Sequence, residues 1–216
     1  MLVRSTPRSL SARKLLVAGL AELSQPVSPE QLEALLALVD LVEAWSPRIQ
    51  LTGHRTPEAV VQRLVLDAAA LLARVPECAS LADLGSGAGF PGLPAAILRP
   101  GCAVTLVEAR ERRHHFQRAA VRQLGLANAR PLLGRAEALE AQPHAAVVAQ
   151  AIAAPTRALR WMLRWAAPGG LLLLPGGAAP PVVPAIRGVA FEAHWPYRVP
   201  CGGPQRSLWV GRRLDL

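Results

Sequence analysis

The sequence predicts an α/β fold: a mostly parallel sheet with crossover helices, an antiparallel edge strand and a helical N-terminal extension. Three observations carry this. Residues 28–74 hold two helical patterns. From Leu81 onward, short apolar runs alternate with helical stretches, the pattern of a parallel sheet. A glycine-rich turn, Gly85 to Gly92, joins the first of those runs to the first of those helices.

The elements follow in order. Residues 1–14 read as a basic leader, and Leu15–Leu20 as part of a first amphipathic helix that Glu22 interrupts, with no small-residue cleavage site after it. Ser28 is a good N-cap with Pro29 and Gln31 behind it. It opens a helix over 28–46 with Leu32, Leu35, Leu36, Val39 and Val42 as its stripe, which Pro47 is expected to end. Thr56-Pro57-Glu58 opens a second helix over 57–74. Strands are expected at 81–84, 103–107, 130–133, 145–149 and 170–174, with helices at 92–99, 110–124 and 155–167. Residues 175–184 carry too much proline for a long helix. Segments 189–195 and 207–212 read as two more strands, an antiparallel pair at one edge.

The 216 residues suffice for one well-buried domain and are short for two. The expected division is a single domain, 1–216, with a helical extension over 1–75 and an α/β core over 76–216. No apolar run reaches the ~18 residues of a membrane span. Cys78, Cys102 and Cys201 are odd in number and lack metal-ligand spacing, which fits reduced thiols in a cytoplasmic protein. The formal charge of +9 favours a polyanionic partner. Its weight is reduced because the 24 basic residues are 23 arginines and Lys14, a bias typical of GC-rich coding.

The run Asp83-Leu84-Gly85-Ser86-Gly87-Ala88-Gly89 carries the chemistry. Glycines there allow positive φ and close ligand approach. The third glycine sits one place too early for the dinucleotide G-x-G-x-x-G pattern. An acidic residue before G-x-G-x-G is instead associated with S-adenosylmethionine sites, which makes Asp83, Gly85, Ser86, Gly87 and Gly89 the candidate cofactor turn. Glu108, 19 residues beyond Gly89, ends the next strand, where a carboxylate can accept from both ribose hydroxyls. The alternative for Glu108 is a solvated strand end that caps helix 110–124.

With these pieces in place, the chain is similar to the bacterial 16S ribosomal RNA guanine-N7 methyltransferases, the glucose-inhibited division protein B family. The likeness rests on Gly85-Ser86-Gly87-Ala88-Gly89-Phe90-Pro91-Gly92, on Leu51-Thr52 with Arg55 and Pro57-Glu58, and on Arg63 with Leu66-Asp67. Gly134-Arg135-Ala136-Glu137, Ala167-Pro168-Gly169-Gly170 and Tyr197-Arg198-Val199-Pro200 add to it. The resemblance implies the Rossmann-like fold of class I S-adenosylmethionine-dependent methyltransferases. It also implies that Gly85 and Phe90 line the cofactor, that Glu108 holds the ribose and that Ala136 and Glu137 lie against adenine. Read alone, Glu137 is equally a helix N-terminal acid.

The chain departs from the family pattern with Gln50 for asparagine and Leu64 for histidine. Gln150 stands for the arginine of a Ser-Arg-Ala element, and Pro175 for a lysine. Gln150 keeps hydrogen-bonding capacity but cannot clamp a phosphate bidentately.

The implied reaction needs no general base, because guanine N7 has an in-ring lone pair and no proton to remove. What it needs is alignment. Gln150 is a candidate cofactor and positioning residue. Asp67 and Asp83 are candidate counter-charges to the cationic product, although Asp83 can equally serve to orient the glycine turn. Arg55 and Arg63 are RNA-binding candidates. So are two basic stripes, Arg110, Arg113, His114 and Arg118 on one helix and Arg157, Arg160 and Arg164 on another, beside Trp161 and Trp165. Solvated helix faces are the alternative. His54 is assigned no chemistry. The expected function is N7 methylation of a guanine in 16S rRNA by a monomer. A methyltransferase for another RNA or a small molecule, and a non-catalytic relative that binds cofactor or RNA, stand as alternatives.

Overall fold

The computed structural model describes residues 7–215, with side chains from residue 10 onward; the first six residues of the basic leader lie outside them. Helix α1 (Pro7–Glu22) begins inside the leader, so the basic segment 7–14 is helical rather than a separate arm. α2 (Pro29–Ile49) carries the expected capping box: Gln31 N–H donates to Ser28 Oγ at 3.2 Å and Ser28 N–H to Gln31 Oε1 at 2.9 Å. The Gln31 amide also donates to Ile97 O at 2.9 Å, which fastens the start of α2 to the sheet layer.

Pro47 does not end α2. It stands exposed in the last turn, where its missing N–H leaves one carbonyl to water, and the helix runs on to Ile49. It stops where Gln50 turns left-handed at φ 50° and donates to Ser46 O at 3.0 Å. The expected helix over 57–74 is also divided: α3 (Pro57–Val60), a widened π turn (Val61–Val65) and α4 (Leu66–Leu72). Leu66 N–H reaches Val61 O across that turn, which carries Arg63 and hands over to Asp67.

The sheet comprises β1 (Ser80–Leu84), β2 (Ala103–Glu108), β3 (Ala129–Leu133), β4 (His144–Ala149), β5 (Ala166–Gly176), β6 (Val189–Arg198) and β7 (Gln205–Arg213). Their order is β3-β2-β1-β4-β5-β7-β6. The first five strands are parallel, while β7 pairs antiparallel with both β5 and β6. Between the parallel strands run α5 (Gly92–Leu98), α6 (Glu111–Gln123) and α7 (Pro155–Trp165). β5 starts four residues earlier than expected, directly at the end of α7. The ladder with β4 shifts register between His144 and Ala146 to absorb Pro168-Gly169-Gly170.

One core packs α1–α5 on one sheet face; the other face is closed by α7 around Leu159, Met162 and Trp165. Among the described residues no helix is long and apolar enough to cross a membrane.

Candidate functional site

The strand order reverses between β1 and β4, and ligands of open α/β sheets bind at such a switch point, beyond the carboxyl ends of the strands. Leu84 is in register with Val107 on one side and Ala149 on the other. The chain therefore leaves β1 at Gly85 between Glu108 and Gln150, which brings three of the predicted residues together.

The turn is held by side chains from three elements. Gly85, Gly87 and Gly89 have φ of 68°, 58° and 83°, and the Gly85 and Ser86 amides donate to Val107 O at 2.8 and 3.0 Å. Asp83 accepts from Gly92 N–H at 2.9 Å; it is fully buried, which pushes its carboxyl up to about 7 despite that bond, with the nearby Glu108 charge adding to the rise. This geometry ties Asp83 to the turn, whose Gly92 amide it holds. Glu108, only 5% exposed, accepts from Gly87 N–H at 2.8 Å and from Arg110 N–H at 2.7 Å. It thus anchors both the turn and the entry to α6. Each carboxylate oxygen keeps a lone pair for a further donor. Gln117, buried on α6, donates to Ser86 Oγ and Gly87 O, both at 2.8 Å.

Two cavities flank this turn. The first, of about 140 Å³, is lined by Gly85, Val107, Glu108, Ala136, Glu137, Ile152 and Trp161 among others. The segment 135–139 is clamped by α7: Trp165 Nε1 donates to Ala136 O at 2.9 Å, and Arg164 donates to Glu137 O and Leu139 O. The Arg157 guanidinium lies 5.7 Å from the Trp161 ring centre. A Cβ on Gly85 would stand 2.1 Å from Ile152 Cγ2, so the backbone here approaches the cavity wall as closely as it can. An acceptor carboxylate between apolar walls matches an adenosine, whose ribose hydroxyls donate and whose purine packs flat. The residues present therefore fit the nucleoside portion of S-adenosylmethionine.

The second cavity, of about 120 Å³, is lined by Arg63, Asp67, Phe90, Gln150, Tyr197, Arg206 and His54 among others. Asp67, 7% exposed, accepts from Tyr197 Oη at 3.0 Å and from Arg206 Nη2 at 2.7 Å. Burial raises its carboxyl pKa while Arg206, Tyr197 and Arg63 pull it back. Burial lowers the His54 pKa, and the nearby Arg63 and Arg206 charges reinforce that.

The predicted RNA candidates separate. Arg55, Arg63, Arg110, Arg157 and Arg160 are exposed. The stripe on α6 is not a single solvent face: His114 is buried, and half-buried Arg113 places Nη1 3.8 Å from where a Gly87 Cβ would be, over the glycine turn. Arg164 is spent on the 135–139 segment. Trp165 is core, whereas Trp161 forms cavity wall.

Sequence reasoning missed Gln117, Ile152, Trp161 and Arg206 as site residues, and it gave His54 no role. Tyr197 entered only as a landmark. No local signal marks them, since each reaches the site through tertiary packing across distant elements.

Residues 31–180 match the family model GidB, rRNA small subunit methyltransferase G. The chain is 40% identical over 185 residues to ribosomal RNA small subunit methyltransferase G of Stenotrophomonas maltophilia (strain R551-3), covering 83% of this chain and 82% of that protein. It is 33% identical over 161 residues to the protein of the same name from Neisseria gonorrhoeae (strain NCCP11945), with 74% and 78% covered. Among solved structures, coclaurine N-methyltransferase bound to N-methylheliamine and SAH superposes with a TM-score of 0.53 at 17% identity. That match covers 88% of this chain and 75% of that one, a likeness of fold. A glycine turn, an acidic β2 end and an Arg-Ala-Glu segment meeting at one switch point, together with these matches, place the chain in the rRNA small subunit methyltransferase G family.

Proposed function

We propose that the protein transfers a methyl group from S-adenosylmethionine to N7 of one guanine in the 16S rRNA of the small ribosomal subunit, acting as a monomer in the cytoplasm. The observation that supports this most is the juxtaposition at Gly85: a cleft lined by Glu108, Ala136, Ile152 and Trp161 on one side, and a cavity containing Arg63 and Gln150 on the other. Bound S-adenosylmethionine supplies an electrophilic methyl on a sulfonium.

The protein's own residues bind and align. Glu108 accepts the ribose hydroxyls; Ala136 and Glu137 meet the adenine against Ile152 and Trp161; Phe90 and Gln150 border the opening toward the target base. N7 attacks with its ring lone pair, so no side chain has to remove a proton. Asp67 is paired with Arg206 and hydrogen-bonded to Tyr197, which makes it a positioning residue for both rather than a free counter-charge. Arg63 also bears on the family arginine that Gln150 replaces: the cavity keeps this exposed guanidinium for phosphate without it. Pro175 is buried in the β5–β7 ladder opposite Leu208, so the lysine it replaces is missing from a buried ladder position.

The test is transfer of labelled methyl from S-adenosylmethionine to small subunits that lack the native N7 mark, with naked 16S RNA alongside and chain cleavage at N7-methylguanine to locate the product. One labelled guanine supports the reading. No transfer to either RNA, with cofactor binding intact, overturns it in favour of a different substrate or a non-catalytic relative.

A further inference from the structure

Two thiols meet far from the site just described. Cys78 lies two residues before β1 and Cys102 one residue before β2, at the amino ends of neighbouring parallel strands paired Ser80 to Ala103. The glycine turn and Glu108 occupy the opposite ends of those strands. The two Sγ atoms are 3.9 Å apart, although 24 residues separate them in sequence. Both line a solvent-open cleft of about 510 Å³, together with Glu77, Arg99, Pro100 and Gly101.

We propose that Cys78 and Cys102 form a redox-active pair that a peroxide converts to an intramolecular disulfide. The asymmetry of the pair supports a division of labour. Cys78 is half-buried at the cleft, and its hydrogen bond with Cys102 together with the Arg99 charge beside it lowers its thiol pKa against the effect of burial. The Arg99 charge is fixed there because the guanidinium donates to the carbonyls of Leu72, Val75 and Pro76. Cys102, 3% exposed, is pushed up by its bond to Cys78 and by burial.

Cys78 is therefore the attacking thiolate. Its sulfur displaces hydroxide from hydrogen peroxide, giving a sulfenic acid, and the hydroxide leaves as water with the thiol's proton. The Cys102 sulfur then attacks Cys78 Sγ, the S–S bond forms, and the sulfenic oxygen leaves as a second water carrying the Cys102 proton. Peroxide is reduced and the two thiols are oxidised. The sulfurs must close to about 2 Å, and Cys78 has freedom to do so because it sits in the connection before β1 rather than in the ladder. Cys201 serves as an internal control, since it lies between β6 and β7 with its Sγ 3.8 Å from Leu15 O.

The experiment treats the reduced full chain, freed of reductant, with hydrogen peroxide and follows free thiols, intact mass and non-reducing peptide maps. The expected result is loss of two of the three thiols, a mass lower by two hydrogens, and a crosslinked Cys78–Cys102 peptide that dithiothreitol reverses. Cys201→Ser should behave as the parent. Cys102→Ser should accumulate a dimedone-trappable sulfenic acid on Cys78, and Cys78→Ser should leave Cys102 unmodified. Crosslinks between chains, prior oxidation of Cys201, or three thiols surviving peroxide would each overturn the proposal.

Discussion

Asp67 and Arg206, 139 residues apart in sequence, meet at 2.7 Å and join the N-terminal helices to the antiparallel edge of the sheet. Tyr197 on β6 donates to the other oxygen of the same carboxylate. Asp67 lies in the first turn of α4, one residue beyond Leu66, the C-cap of the π turn, so this one side chain fixes α4, β6 and β7 around the cavity that holds Gln150. A buried carboxylate is tolerable only because both oxygens are engaged and one partner is charged.

Removing that carboxylate leaves the Arg206 guanidinium half-buried beside an empty space. Asp67→Ala should cost about 3 kcal/mol in urea unfolding, the scale for breaking a buried pair from one side. Asp67→Asn keeps an acceptor for Tyr197 and should cost less. Equal losses in the two variants would show that the whole contribution lies in the Asp67 charge and none in the hydrogen bond from Tyr197.

Asp83 makes the stability depend on pH in the direction opposite to most carboxylates. Its native pKa of about 7 lies above the ordinary 3.8, so between those values the folded protein binds more protons than the unfolded one. Stability should therefore fall as pH rises from about 4 to about 7. Asp83→Asn keeps an acceptor for the Gly92 amide and should lose that share of the slope. Thermal melts of both proteins across this range check it; parallel curves would refute the assignment.

Gly85→Ala should damage binding more than folding. Its Cβ meets Ile152 Cγ2 at 2.1 Å on a backbone at φ 68°, so the new methyl displaces a cavity wall. The strain is about 2 kcal/mol. Calorimetry with S-adenosylhomocysteine should show affinity lower by roughly 10-fold or more, while the melting temperature drops by only a few degrees.

Much of this site was legible because its signals are local. Asp83, the glycines and Glu108 lie within one β-α-β unit, where spacing along the chain fixes position in space. The alternation of strands and helices likewise dictated the parallel sheet, and the tail gave its antiparallel edge. Pro47 was misread because a proline in the last helical turn forfeits only one hydrogen bond, which is too little to end a helix. The π turn at 61–65 and the ties of Arg206 and Gln117 left no trace in sequence, since they arise only once distant elements have packed. The α6 stripe failed for a related reason. Helical spacing puts Arg110, Arg113, His114 and Arg118 on one face, but only packing against the sheet decides how much of that face is buried, and it buries His114.

Glu108 has two duties that a pair of substitutions can separate. Glu108→Ala removes the proposed ribose acceptor together with the bonds to the Gly87 and Arg110 amides, and should weaken S-adenosylhomocysteine binding about 100-fold. Glu108→Gln keeps one acceptor oxygen and should weaken it about 10-fold. If both bind as the parent does, the nucleoside cleft has been assigned to the wrong carboxylate.

The basic helices can be sorted by salt. Arg157 and Arg160 are exposed on α7, near the Trp161 wall of the nucleoside cleft, and each phosphate contact they make releases counterions. Replacing either with glutamine should lower the slope of log affinity for rRNA against log salt by about 1. Arg113 lies over the glycine turn, so Arg113→Gln should leave that slope unchanged and weaken cofactor binding instead. The two readouts distinguish a phosphate-binding face from an ordinary solvated one, because a solvated arginine changes neither. A slope that responds to Arg113 but not to Arg157 or Arg160 would move the RNA path from α7 to the mouth of the turn.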